Sequence, residues 1–297
     1  MKYILDCGMG TELSSRGFNV PDWKKSIWSA QVLLEHPDAI IEVHKDNIAA
    51  GCNIITTNNY YVTPTILSRN GIEHKTNELT QLSIDLAKTA KNGNKDVLIA
   101  GSFPPMETSF RPDLTPSKTI MDDFYSSIGS IMEEQVDIIL CESMSSIKEG
   151  ITAASNAVNY SDRVWLSWTT RNIPKGSHLV SGESFENAIE AANKLNIECQ
   201  LLNCLAADLV TEEIETLKKA GTFGMFPNSA VLKDKEQIKD FGKEVDVDVI
   251  HHTNTVKISP KEYAMEARKW LEHGAYVIGG CCSTTPEHIK EISKLIE

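Results

Sequence analysis

Two adjacent cysteines, Cys281 and Cys282, stand where an apolar run over residues 275–278 ends in Gly279-Gly280. Neighbouring cysteines do not readily bridge each other across an ordinary peptide bond. Two thiolates side by side are, however, good ligands for a soft metal such as zinc. Because a zinc site needs at least one further ligand, the pair predicts a metal site that a distant segment completes.

The elements that must position this pair show a repeating pattern. Short, continuously apolar runs alternate with amphipathic stretches, and continuous hydrophobicity is typical of parallel strands covered by helices on both faces. The runs are at 3–5, 53–55, 97–100, 137–140, 164–166, 200–202, 223–226 and 276–278. The amphipathic stretches are at 37–50, 76–91, 118–134, 146–159, 184–195, 209–220 and 259–273.

About eight strand-helix units in a chain of this length predict a (β/α)8 TIM-type barrel, formed as a single domain over residues 1–297. A doubly wound sheet is the alternative, although the turn at residues 6–10 lacks the full glycine pattern of a dinucleotide site. The connections after strands one, three, five and seven are longer than usual, at 10–36, 102–117, 170–183 and 228–258. The connections after strands one and three carry aromatic residues that could cover a pocket, namely Trp23, Trp28, Phe103 and Phe110.

In such a barrel the carboxyl ends of the strands form the active-site face. The polar residues expected at that face are Asp6, residues 56–58, Glu142, residues 203–204 and the Cys281-Cys282 pair. Cys204 ends the sixth strand and the cysteine pair ends the eighth, so three thiols could converge. Three thiolates with one open position are typical of a catalytic zinc site, and a substrate thiol is a natural fourth ligand.

The chain resembles the zinc-dependent homocysteine S-methyltransferases over nearly its whole length. The residues that carry the resemblance are Leu5-Asp6-Cys7-Gly8-Met9-Gly10-Thr11-Glu12-Leu13, Glu35-His36-Pro37, Asn203-Cys204 and Gly279-Gly280-Cys281-Cys282. The resemblance implies a zinc ion on Cys204, Cys281 and Cys282, with the sulfur of homocysteine as the fourth ligand.

The resemblance also implies roles for residues around the metal. Asp6 and Glu142 would hold the ammonium group of homocysteine. The backbone amides around Cys7 and Gly8, with Thr57, would hold the carboxylate and form the pocket wall. Trp28 and Tyr61 would face the methyl donor.

The implied function is transfer of a methyl group from a small onium donor to homocysteine, which forms methionine. Aromatic faces stabilise an onium cation by about 0.5 to 2 kcal/mol each, and the further candidates for this contact are Tyr60, Phe103 and Phe110. S-methylmethionine is the leading donor; S-adenosylmethionine, betaine and related sulfonium compounds are alternatives, as is selenohomocysteine as the acceptor.

Two features depart from the family pattern. Cys7 stands where glycine is common, and the segment at 101–114 differs from that of the S-methylmethionine-using members. A hypothesis from a different class is a non-catalytic zinc-thiolate protein that senses oxidants through Cys204, Cys281 and Cys282. The adjacent His251 and His252 point to opposite faces if they lie in a strand, so we do not assign them to a site.

Composition excludes other classes of function. The formal net charge of -12 argues against nucleic acid or an anionic membrane surface as the main partner. No apolar stretch approaches the ~20 residues of a membrane span, and an odd number of cysteines fits reduced thiols. We therefore expect a cytoplasmic enzyme, with Cys7, Cys52, Cys141 and Cys199 as packed thiols; we make no prediction of oligomeric state.

Overall fold

The computed structural model describes residues 2–171, 178–233 and 255–296. Residues 234–254 of the connection predicted at 228–258, which include His251 and His252, lie outside the described residues. The fold within the described part is a ring of eight parallel strands surrounded by helices, which confirms the predicted barrel.

Each of the eight strands of the ring coincides with one of the apolar runs in the sequence. They are β1 (Tyr3–Ile4), β2 (Ile54–Thr56), β3 (Leu98–Phe103), β4 (Ile138–Met144), β5 (Val164–Trp168), β6 (Cys199–Ala206), β7 (Phe223–Asn228) and β10 (Val277–Ile278). Their order is β1-β10-β7-β6-β5-β4-β3-β2, and a parallel bridge between Leu5 and Ile54 joins the two ends. This cyclic order excludes the doubly wound sheet.

The longer helices form the outer layer. They are α3 (Pro37–Ala49), α5 (Thr76–Lys91), α6 (Lys118–Met132), α7 (Ile147–Ala157), α8 (Phe185–Ala192), α11 (Pro260–Glu272) and α12 (Pro286–Ser293). The predicted stretch at 209–220 is divided between α9 (Ala207–Glu212) and α10 (Ile214–Leu217). Serine caps begin several of these helices; the Ser146 side chain, for example, accepts a hydrogen bond from the backbone N–H of Glu149.

The connections at the carboxyl ends of the strands contain further short elements. The first, expected as a long connection, folds into α1 (Met9–Ser15) and α2 (Ala30–Glu35), with residues 16–29 between them. A short helix, α4 (Pro64–Leu67), follows β2. Beyond β7, a small antiparallel sheet pairs β8 (Ala230–Leu232) with β9 (Thr255–Lys257).

Two apolar layers hold the barrel together. Inside the ring, buried side chains from or next to all eight strands form one cluster, which includes Leu5, Ile54, Trp165 and Phe226. A larger cluster fills the space between the strands and the outer helices. Burial on both strand faces explains why the runs are continuously apolar. Among the described residues, no helix has the length and hydrophobicity needed to cross a membrane.

Candidate active site and metal centre

A single cavity at the carboxyl end of the barrel contains all ten residues predicted to bind the metal, homocysteine or the methyl group of the donor. The residues concerned are Asp6, Cys7, Gly8, Trp28, Thr57, Tyr61, Glu142, Cys204, Cys281 and Cys282, and all of them line it. They come from five different strand ends and from the aromatic segments that follow β1 and β2. The barrel topology therefore brings together residues that are far apart in sequence.

Three of these residues form a thiol cluster, Cys204, Cys281 and Cys282. Their sulfur atoms all lie within 4.8 Å of one another, and Cys204 Sγ is 3.8 Å from Cys282 Sγ. Two thiolates on one tetrahedral zinc ion, each about 2.3 Å from the metal, are separated by roughly 3.8 Å. The spacing and the sulfur chemistry thus fit zinc.

The electrostatics of the cluster also favour a cation. The pKa of the Cys204 thiol is raised by its hydrogen bonds to Cys281 and Cys282, and burial raises it further. Three neighbouring thiols cannot all be ionised in a partly buried cavity without a compensating positive charge. The cluster is consequently poor as a set of free thiolates and well suited to a bound metal.

The backbone fixes the direction of each thiol. Cys204 has a left-handed conformation, with φ of 62°, at a break in the register between β6 and β7. The Cys281 N–H donates to the Pro227 carbonyl at 2.9 Å, and the Cys282 N–H donates to Asn228 Oδ1 at 3.0 Å. A left-handed conformation is costly for a residue with a side chain, and strain of this kind is often found at functional sites.

Asn203, directly before Cys204, ties three strands together below the cluster. Its Nδ2 donates to Ser143 Oγ at 2.7 Å, and its Oδ1 accepts from the Ser143 N–H at 3.2 Å and from Ser167 Oγ at 2.6 Å. Ser143, like Cys204, has a positive φ of 58°. Asn203 therefore supports the neighbouring thiol and the turn next to Glu142, as ligand-supporting residues do in metal sites.

Asp6 and Glu142 are the two carboxyl groups of the cavity. Asp6 Oδ2 accepts from the Thr56 N–H at 2.9 Å, and Asp6 Oδ1 accepts from Thr56 Oγ1 at 3.1 Å. Glu142 Oε1 accepts from Ser102 Oγ at 2.5 Å. Burial raises the pKa of Asp6 to about 7, and burial, with the Asp6 charge, raises that of Glu142 to about 7. Two carboxyl groups whose charge is buried in this way form a good site for a cation.

The turn after β1 already uses its backbone donors within the protein. The Cys7 N–H donates to Asn47 Oδ1 at 3.0 Å, and Asn47 Nδ2 donates to Cys7 Sγ at 3.3 Å. The Gly8 N–H donates to Thr284 Oγ1 at 3.2 Å. Burial raises the pKa of Cys7, so this thiol is a packed group held by α3.

Five aromatic side chains that line the cavity form what we call the aromatic wall. It consists of Trp23, Trp28, Tyr60, Tyr61 and Phe110. Trp28 contacts Tyr61 with ring centres 5.2 Å apart, and Trp23 contacts Phe110 edge to face at 6.0 Å. The placement expected for Phe103 is wrong. It is fully buried and stacks on Tyr125 of α6, because Ser102, its neighbour in β3, takes the inward position.

Comparisons with known proteins agree with this geometry. Residues 3–296 match the homocysteine S-methyltransferase family. The chain belongs to this family. It is 28% identical to homocysteine S-methyltransferase of Escherichia coli, over 96% of this chain and 92% of the relative. It is 27% identical to homocysteine S-methyltransferase YbgG of Bacillus subtilis, over 98% and 93%.

A solved structure of the family has the same fold. The metallated form of the E. coli homocysteine methyltransferase MmuM superposes with a TM-score of 0.78 at 25% identity, and covers 99% of this chain and 96% of its own. An experimentally determined member of the family therefore has the same barrel over nearly the whole length of this chain.

Sequence reasoning did not assign roles to several groups around this homocysteine methyltransferase site. Asn58, on the segment after β2, lines the cavity, and its buried Nδ2 has no hydrogen-bond partner among the described residues. His44 lies 3.8 Å from Asp6 Oδ2, and burial lowers its pKa to about 4. The strand-end rule places Asn58 at this face of the barrel but gives it no role, whereas His44 is identified only by its three-dimensional contact with Asp6.

Proposed function

We propose that this protein transfers a methyl group from a small onium donor, S-methylmethionine first among the candidates, to the sulfur of homocysteine. The observation that carries the proposal is the meeting of three unlike groups in one cavity: the thiol cluster, two buried carboxyl groups and the aromatic wall. Each suits one part of the reaction, namely the acceptor sulfur, the amino acid head group and the methyl donor.

The thiol cluster of Cys204, Cys281 and Cys282 would hold zinc. Zinc, when bound, supplies a position where the homocysteine thiol, with an ordinary pKa of about 8.5, is kept as a thiolate at neutral pH. The protein residues hold this position at the carboxyl ends of β6 and β10. They thereby fix the distance between the acceptor sulfur and the groups that bind the rest of the amino acid.

Asp6 and Glu142 would bind the ammonium group of homocysteine. Each has a raised pKa because its charge is buried, and a substrate ammonium supplies the missing counter-charge. For the carboxylate we propose the turn at Cys7 and Gly8 together with Thr57. Because the two backbone amides already donate within the protein, the free Nδ2 of Asn58 provides a further donor next to Thr57.

The aromatic wall would bind the donor, with Trp28 and Tyr61 facing its methyl group. The described residues that line the cavity include no Lys, Arg or His, so no cationic side chain there repels an onium group. In the transfer, the bond between the donor sulfur and its methyl carbon breaks, and the electron pair leaves with that sulfur as a neutral thioether. The acceptor thiolate forms the new bond to the methyl carbon and becomes the thioether of methionine.

The test is a panel assay with zinc supplied. Homocysteine is combined in turn with S-methylmethionine, S-adenosylmethionine and betaine, and methionine formation is measured. We expect methionine with S-methylmethionine, and loss of activity after chelation or in Cys204→Ser. Zinc binding without turnover of any onium donor would contradict the proposal and would favour a zinc-thiolate redox sensor. Selenohomocysteine in place of homocysteine tests the acceptor, and fractionation of cells tests the proposed cytoplasmic location.

A further inference from the structure

Two segments that belong to no barrel strand carry three of the five residues of the aromatic wall. The Trp segment, residues 16–29, joins α1 to α2 and carries Trp23 and Trp28. The Phe segment, residues 104–117, follows β3 and carries Phe110. The two segments meet at the edge-to-face contact of Trp23 with Phe110. Contacts other than strand pairing must therefore hold the two segments in position relative to each other.

Arg69, in a 3-10 turn after α4, lies between these segments and bonds to both. Its Nη1 donates to the Ser26 carbonyl at 3.0 Å and to the Trp23 carbonyl at 3.3 Å in the Trp segment. Its Nη2 donates to the Glu107 carboxylate and to Thr108 Oγ1 in the Phe segment. The Arg69 side chain is 18% exposed and that of Glu107 is 15% exposed. The contact is thus largely removed from solvent.

The chemistry of these contacts requires arginine. A guanidinium group is planar and presents five N–H donors in fixed directions, so one side chain can bond to two carbonyls and a carboxylate at once. A lysine ammonium has three donors on a single atom and cannot span both segments in this way. Arg69 does not line the cavity, so it acts on the substrate site only through the segments that it joins.

We propose that Arg69 is a positioning residue that fixes the aromatic wall against the methyl donor. This inference rests on the proposed function, because it assigns the wall to donor binding. Asp6, Glu142 and the thiol cluster lie at the barrel strand ends and do not depend on Arg69. Loss of Arg69 therefore weakens donor binding and leaves the homocysteine side of the site in place.

The experiment compares Arg69→Met and Arg69→Lys with a matched control, Arg111→Met. Arg111 is in the Phe segment, and its side chain donates hydrogen bonds to both carboxylate oxygens of Asp113 in that same segment. We expect Arg69→Met to raise the donor KM roughly ten- to a hundredfold, because misplacement by about 1 Å costs up to about 10²-fold. The homocysteine KM and the zinc content stay within about twofold of wild type. Arg69→Lys recovers part of the loss, and Arg111→Met changes the donor KM less than about twofold.

A second readout does not depend on activity. Trp165, Trp168 and Trp270 are fully buried, so acrylamide quenching of tryptophan fluorescence reports mainly on Trp23 and Trp28. We expect quenching to rise in Arg69→Met and to stay unchanged in Arg111→Met. If Arg69→Met does not fold, Glu107→Gln replaces it and is expected to give a smaller rise in both donor KM and quenching.

The outcomes separate the two proposals. If wild type forms no methionine while quenching rises in Arg69→Met, the proposed function fails and the positioning of the wall by Arg69 is supported. If wild type is active and Arg69→Met keeps wild-type donor KM and quenching, the role of Arg69 is refuted. An equal rise in the KM of homocysteine and of the donor also refutes it, because that result indicates a general loss of structure.

Discussion

Gly10 is the residue that allows the Trp28 indole to lie over the cavity. A Cβ atom placed on Gly10 would be 2.5, 2.7 and 2.9 Å from three atoms of the Trp28 ring. Since carbon atoms in contact are about 3.5 Å apart, Gly10→Ala forces the ring to retreat by roughly 1 Å. Trp28 has a φ of 42° and packs against Tyr61, so its backbone and its far side resist the movement.

We therefore predict that Gly10→Ala lowers kcat/KM for the methyl donor by up to about 100-fold, or about 2.7 kcal/mol. The measurement is steady-state kinetics with the donor varied at saturating homocysteine, then with homocysteine varied. The homocysteine KM should change little, because Asp6 and Glu142 lie elsewhere in the cavity. Overpacking is also expected to lower stability by about 1 to 3 kcal/mol.

Gly17→Ala is the matched control. Gly17 has a φ of 88°, so alanine is strained there, yet its Cβ would meet no atom within 4 Å. We expect Gly17→Ala to lower the stability of the protein and to leave kcat/KM for the methyl donor unchanged. In the double variant Gly10→Ala/Trp28→Phe, the smaller ring should relieve the collision, so the two effects should be less than additive. A folded Gly10→Ala protein with donor kinetics within twofold of wild type would refute the reasoning.

Three further predictions concern charge and the metal. Because Asp6 and Glu142 have a pKa of about 7, both lose charge as the pH falls from 8 to 6, so the homocysteine KM should rise over that range. Glu142→Gln should raise the homocysteine KM at pH 8 and make it depend less on pH. Burial raises the pKa of Glu149 to about 7, so wild type bears a buried charge at pH 8.5 but not at pH 4. Glu149→Gln should therefore raise the melting temperature at pH 8.5 and leave it unchanged at pH 4. Equal shifts of the melting temperature at both pH values would contradict this. A Cβ on Gly8 would collide with the Cys281 carbonyl oxygen, which cannot rotate away. Gly8→Ala should therefore lower zinc affinity at least about tenfold, measured by competition with a chelator. Unchanged affinity would show that this contact does not position Cys281.

Much of the fold was predictable because buried parallel strands leave a plain signal. All eight apolar runs are strands, and the strand-end rule for barrels was enough to bring Cys204 next to Cys281 and Cys282. The boundaries of α5 at Thr76 and Lys91 also agree, since the helical period there is regular.

Features that depend on tertiary contacts were not predictable. The alternation of side chains in β3 turns Phe103 outward and Ser102 inward, and a register error of one residue reverses that assignment. The hydrogen bonds between Asn47 and Cys7 and from Arg69 to the Trp segment each span about 40 or more residues, and polar contacts of that kind leave no periodic trace. The left-handed conformation of Cys204 likewise follows from its surroundings.

The central claim is that Cys204, Cys281 and Cys282 bind zinc and leave a fourth position for the sulfur of homocysteine. X-ray absorption spectroscopy at the zinc edge of the zinc-loaded protein tests it directly. We predict three sulfur ligands at about 2.3 Å and one nitrogen or oxygen ligand without substrate, and four sulfur ligands with homocysteine. A ligand set that does not change when homocysteine is added, or fewer than three sulfur ligands in its absence, would contradict the account.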